Sequence, residues 1–200
     1  MNQTDKVEVQ HYGAGLVAVF TSHEVDGAKC GTCTMCCETT PVVFPDYQKP
    51  AHTPCPFQGP EGCLDYEDHP VGCRHYSCMW LRGEISDKYH PQTVGAVFES
   101  SMFENATFEG KQELVFVAIH DMKLFSKIDL LGLHADHPNT VWLFFHEDSP
   151  ALWGKARFVK RAVGLLAGKA LPNFPETDDL VLVDLEQREE DDAESESGSL

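Results

Sequence analysis

Long apolar runs are missing from this 200-residue chain. No stretch approaches the ~20 apolar residues that a helical membrane span needs. The opening segment, Met1 to Gln10, is polar and charged, and the run Gly15 to Phe20 is too short for the core of a secretion signal. Together these absences predict a cytosolic protein with no membrane association. Positive charge is also scarce: 15 Lys and Arg stand against 32 Asp and Glu, a formal charge of −17. The last fifteen residues carry −6 of it and the rest −11. Such a chain lacks the clustered Lys and Arg that binding along a phosphate backbone requires, which argues against nucleic acid as a partner. The sequence also has no phosphate-binding loop, no glycine-rich loop after a strand, no Gly-x-Ser-x-Gly, no His-Glu-x-x-His and no internal repeat.

Cysteine, by contrast, is abundant and confined. All eight lie between Cys30 and Cys78. Cytosolic thiols stay reduced, so a cluster of this kind more often binds metal than forms disulfides. The texture of the chain changes around it. Residues 1–29 are a lead-in with one apolar run, Leu16 to Phe20. Residues 30–81 hold every cysteine and seven of the twelve prolines, with apolar residues at neither strand nor helix period. A segment so poor in regular apolar pattern needs cross-links to fold. Residues 82–185 read as ordinary α+β structure, and residues 186–200 as an acidic, disordered tail whose plain role is solubility.

In the third region, strand-like runs fall at Val94–Phe98, Leu114–Ile119, Val141–Phe145 and Leu180–Asp184, with Asn105 to Lys111 suited to joining the first two. Ser149-Pro150 reads as the start of a helix reaching about Ala170 and ending before Pro172. Leu152, Ala156, Val159, Val163 and Leu166 would share its buried face. A shorter helix is expected over Ser126 to Leu133. The long helix carries Arg157, Lys160 and Arg161 on one face with Gly154, Gly164 and Gly168, either an anion-binding face or a solvated one.

The thiol spacing is Cys30-x2-Cys33-x2-Cys36-Cys37, followed by Cys55, Cys63, Cys73 and Cys78. Two residues between cysteines allow both sulfurs to turn toward one ion. Cys36 and Cys37 are adjacent, so their side chains should diverge and serve different ions. Three arrangements remain open: two four-cysteine zinc sites, one four-iron cluster with the other cysteines on zinc or free, or a single site with bystanders. The bacterial ferredoxin spacing is not present, because Cys37 follows Cys36 directly. His75 is the best-placed histidine to replace a thiolate, while His134 and His137 form a weak pair. Trp80 would pack over the site or simply in the core.

These residues also carry a family resemblance. Cys30-Gly-Thr-Cys-Thr-Met-Cys-Cys37, Lys49-Pro50-Ala51 ahead of Cys55-Pro56, Gly62-Cys63, Asp65-Tyr66 and Cys73-Arg-His-Tyr-Ser-Cys78-Met-Trp-Leu81 resemble the YkgJ-type cysteine-cluster family, over about Cys30 to Phe98. His69-Pro70 departs from the Arg-Pro that relatives often carry. The resemblance implies a zinc- or iron-chelating domain. It does not imply an activity, although some relatives are labelled iron–sulfur oxidoreductases. A flagellin lysine methylase is similar in its cysteine motif. The expected architecture is therefore α+β: an irregular, cysteine-rich, metal-stapled N-terminal module packed on a small sheet with one or two helices. The expected function is to hold zinc or an iron–sulfur cluster through Cys30, Cys33, Cys36, Cys37, Cys55, Cys63, Cys73 and Cys78. Either a non-catalytic carrier or interaction module with a protein partner, or an iron–sulfur oxidoreductase or protein-modifying enzyme, would use such a centre.

Overall fold

A computed structural model of the chain describes residues 7–12, 16–21, 30–44, 47–64, 76–101, 114–146, 149–167 and 173–185. Cys73, His75, the His69-Pro70 pair, the Asn105–Lys111 connection, Gly168 and the acidic terminus from Glu186 lie outside them. Helices and strands are both present. Val7–Tyr12 (β1) and Leu16–Thr21 (β2) pair as an antiparallel hairpin within the expected lead-in. The short helix Met35–Thr39 (α1) follows, then the hairpins Val42–Phe44 (β3) with Tyr47–Lys49 (β4) and Gln58–Gly59 (β5) with Gly62–Cys63 (β6).

Most of the core belongs to one five-stranded sheet. After the helical turn Pro91–Val94 (α2) come Ala96–Ser101 (β7) and Leu114–Ile119 (β8). The short helices Met122–Phe125 (α3) and Leu130–Asp136 (α4) lead to Val141–His146 (β9) and Ser149–Lys155 (β10). Helix Ala156–Ala167 (α5) and strand Leu180–Asp184 (β11) complete the order β11-β10-β9-β8-β7. Only β8 and β9 run parallel, so their link must cross over a face of the sheet, and α3 and α4 make that crossing. The two central strands are apolar at nearly every position because both faces are covered. One face packs Phe98, Val115, Val117, Trp142 and Phe144 against Phe125 and Leu133. The other packs Phe116, Leu143, Leu152 and Val183 against Phe158, Val159 and Val163 of α5. The described part holds no helix long and apolar enough to cross a membrane.

Three expectations need correction. The helix expected from Ser149 starts instead at Ala156. Pro150, Leu152 and Gly154 are buried alternately, and Ser149–Lys155 is a strand bonded to β9 and β11. Leu152 and Ala156 fit a helical spacing and a strand spacing equally well. Pro150 is tolerated because it sits at the strand's beginning. The strand expected from Val94 begins at Ala96, because Val94 ends a helical turn closed by Gly95 in the left-handed conformation, φ +68°. The helix expected over Ser126 to Leu133 begins only at Leu130, capped by the Asp129 side chain, and runs to Asp136, while a separate short helix capped by Asp121 ends at Phe125, before the expected span. The described residues thus hold more, and shorter, helices than the one or two expected.

The predicted basic face on α5 is occupied. Arg157 Nε lies 2.7 Å from Asp178 and Lys160 Nζ 2.7 Å from Glu176. Gly154 is a strand residue, not part of that helix. At the far edge of the sheet, Leu182 on β11 is 68% exposed.

Gly95 joins α2 to β7 and receives backbone hydrogen bonds from His120 and Asp121 at the end of β8. A β-carbon at this position would meet Asp121 O at 2.8 Å. Strain at positive φ and this contact predict that Gly95→Ala loses about 1–3 kcal/mol of stability. Urea unfolding of the two proteins measures it, and equal midpoints would contradict it.

Candidate metal centre

The cysteine-rich segment is folded by backbone contacts between short pieces. Cys33 N bonds to Cys30 O at 3.0 Å, closing the first Cys-x2-Cys turn. Cys55 N bonds to Cys37 O at 3.0 Å and His52 N to Thr39 O at 3.2 Å, so the stretch before β5 is tied to α1. Gly62 sits with φ +109° against the first turn, where any β-carbon would collide with Gly31 O. Glu38 ties this segment to the sheet. Its carboxylate accepts from Thr34 Oγ1 at 3.0 Å and from Gln58 Nε2, and its Oε2 lies 3.4 Å from His120 Nε2.

Five of the eight predicted ligands converge. The Cys36 thiol hydrogen-bonds with both Cys30 and Cys37, and those contacts push its pKa well up. Cys33 lies within electrostatic reach of Cys30 and Cys37, and Cys78 within reach of Cys30 and Cys33. The adjacent Cys36 and Cys37 therefore do not point apart, as their adjacency suggested. Both sit on the single turn of α1 and hydrogen-bond with each other. Cys55 is tied by its backbone to Cys37. Cys63 is half-buried in β6, next to Gly62. Cys73 is outside the described residues. No disulfide joins the seven cysteines to one another among the described residues.

Protein surrounds these sulfurs. Cys33 and Cys78 are buried with Met35 and with Val97 of β7, while Trp80 and Leu81 pack against them. Trp80 also packs on the sheet core and donates from Nε1 to Asp87 at 3.1 Å, so it touches both the thiols and the core. The backbone N–H groups of Met35 and Gln92 donate to Cys33, and that of Leu81 to Cys78. Burial outweighs these bonds: it raises the Cys33 thiol and pushes Cys78 up to about 11. Cys37 moves the other way, to about 7, chiefly through the hydrogen bond from Cys36 and then through the nearby Lys49 ammonium, against burial and the Glu38 charge.

Soft sulfur donors with N–H groups aimed at them fit a thiophilic ion in kind. Among the described residues, no group of three or more His, Cys, Asp and Glu side chains is arranged so that it could hold a metal ion as it stands. His134, on α4, is buried against Trp153, and His137 faces Trp142.

Sequence reasoning overlooked a buried polar group under the same module. Arg82 donates to Glu84 at 2.7 and 2.8 Å, to Ser77 O and to Ser100 Oγ. Glu99, on β7 beside it, is 7% exposed, and burial lifts its carboxyl to about 8 against the pull of Arg82 and Tyr76. The available signal was an acid inside a strand, but the expected strand stopped at Phe98. Comparison of the chain with family models, curated proteins and solved structures finds no match.

Two outcomes follow from these shifts. In reduced, chelator-treated protein at pH 7, Cys37 should alkylate ahead of Cys33 and Cys78, because about half of a thiol with pKa near 7 is thiolate there. Peptide mass mapping at short iodoacetamide exposure reads the order. For Glu99, the folded value of about 8 lies above its ordinary 4.5. Between those values the folded chain keeps a proton that the unfolded chain has lost, so stability falls as pH rises through that window. Glu99→Gln should flatten the decline in urea midpoints between pH 5 and 8; parallel curves for the two proteins would contradict the assignment.

Proposed function

We propose that this chain is a metal-binding protein of the YkgJ type, holding zinc or an iron–sulfur cluster through its cysteines. The observation that carries the reading is the packing of Cys30, Cys33, Cys36 and Cys78, from separate stretches of chain, in partly apolar surroundings, with Cys37 hydrogen-bonded to Cys36. A gathering of thiols is costly to ionise without a cation, since each deprotonation makes the next harder. Cys55 is tied to Cys37 by its backbone, and Cys63 follows the glycine that presses on the Cys30–Cys33 turn. Cys73 enters the set on its sequence register alone.

The chain's own residues have distinct tasks in this reading. Cys30 and Cys33 offer two sulfurs from one tight turn, and Cys36 and Cys37 offer two from α1. Cys78 approaches from the strand side, where its segment is fixed by the Met79 N to Phe98 O bond of 2.9 Å. Met35, Gln92 and Leu81 supply N–H groups that favour the thiolate form. Trp80 and Leu81 limit water access. A bound zinc or cluster would staple residues 30–81 onto β7, and an iron–sulfur cluster would add one-electron chemistry.

The test is metal analysis of anaerobically purified protein together with a visible spectrum. The expected result is stoichiometric metal: a colourless protein with zinc, or a brown one with iron and sulfide. The colourless result favours a carrier or interaction module, and the brown one a redox or protein-modifying role. Full demetallation should loosen residues 30–64 and 76–81 and lower thermal stability. Protein that carries neither metal, or that melts unchanged after demetallation, would overturn the proposal.

A further inference from the structure

The two edges of the sheet are built differently. At β7 the segment after Cys78 covers the edge, with Met79 N bonded to Phe98 O at 2.9 Å. Beyond β11 no further strand lies among the described residues. Two backbone bonds fix which groups of β11 face outward. Leu185 N bonds to Pro150 O at 3.0 Å and Ala156 N to Asp179 O at 2.9 Å, so the odd-numbered residues of this stretch pair with the β10 side. In an antiparallel ladder the alternate residues turn their N–H and C=O the other way. Leu180, Leu182 and Asp184 therefore aim theirs outward.

The side chains of this edge are open in the same direction. Val115, Trp142, Trp153 and Leu182 stand in one register row across four strands. The first two are fully buried, Trp153 is half-buried and Leu182 is 68% exposed. Natural edges are usually blunted with lysine, proline or a covering segment, and β11 has leucine at both 180 and 182. Charge then gives the edge a direction. Asp178, ahead of the strand, is answered by Lys155 at 3.4 Å and Arg157 at 2.7 Å. From Asp184 to Asp192 the sequence has six acids and a single base, Arg188. Negative charge therefore gathers at the C-terminal end of the strand.

We infer that β11 is a docking edge for an extended segment of another protein, one that starts with Lys or Arg and continues with apolar residues at alternate positions. The segment adds as a sixth strand, antiparallel to β11. That direction sets its basic start beside Asp184 and the acids that follow, and its apolar residues beside Leu182 and Leu180. The outward N–H and C=O groups of Leu180, Leu182 and Asp184 supply the ladder, and the row ending at Leu182 gains its missing neighbour. A second copy of this chain does not fit, since it brings the same acids and a net charge of −17. The inference is independent of the metal-binding reading, because the thiols pack against the β7 edge.

The experiment titrates the full chain into the labelled peptide Lys-Lys-Val-Thr-Val-Thr-Val and follows fluorescence anisotropy, with Glu-Glu-Val-Thr-Val-Thr-Val as the control. The expected result is saturable binding that weakens with salt, and at least about tenfold weaker binding of the acidic peptide. Amide exchange locates the site: residues 180, 182 and 184 should slow when the basic peptide binds, while 181 and 183 are slow already. Leu182→Pro removes one outward N–H and no bond to β10, and should weaken binding about tenfold. If that variant does not fold by circular dichroism, the exchange pattern of the wild type decides alone. No binding of the basic peptide, equal binding of the two peptides, or unchanged exchange at 180, 182 and 184 overturns the inference. So does a dimer in sedimentation that Leu182→Pro abolishes, because a second copy would then be the occupant.

Discussion

Sulfur placed beside sulfur inside protein is the constraint on which the cysteine-rich segment depends. Each thiol in the group changes the proton affinity of its neighbours, and the chain answers with a graded set: Cys36 and Cys78 strongly protonated, Cys37 close to neutrality. Such grading needs fixed positions, yet the described part of this segment has little regular structure to fix them. Among its described residues the helix is a single turn and the two hairpins have strands of two or three residues. Backbone bonds between loops and the Glu38 bracket do the holding.

The sheet supplies what the loops lack. β7 is its edge strand, and an exposed edge invites unwanted pairing. Here the segment after Cys78 lies along that edge, bonded at Phe98, with Met79 buried in the sheet core. Val97, on the same strand, forms part of the wall against Cys33 and Cys78. The polar group of Arg82, Glu84, Glu99 and Ser100 lies along the same junction. One strand therefore serves as structural edge, as wall for the thiols and as support for a buried acid.

The legible parts of the sequence were those with a single physical reading. Val-, Leu- and Phe-rich runs bounded by turn residues marked β8, β9 and β11 because buried central strands and their neighbours have no other composition. Ser149-Pro150 misled because a cap followed by proline is also a strand beginning, and seven residues cannot separate the two periods. Val94 was misplaced because only Gly95's backbone, not its neighbours, marks the end of the turn. For the site, spacing identified thiols that could share a destination, but it placed the side chains of Cys36 and Cys37 on diverging paths.

The opposite edge of the sheet has its own consequence. β11 presents Leu180 and Leu182 to solvent on an outer strand, a combination that elsewhere templates fibrous stacking. Acids bound it: Asp178 and Asp179 precede the strand and Asp184 closes it. A second copy docking antiparallel about Leu182 would set Asp184 opposite Leu180, forcing a carboxylate against an apolar side chain and crowding like charges. The acids at the two ends of β11 thus oppose edge-to-edge pairing of one copy of this chain with another.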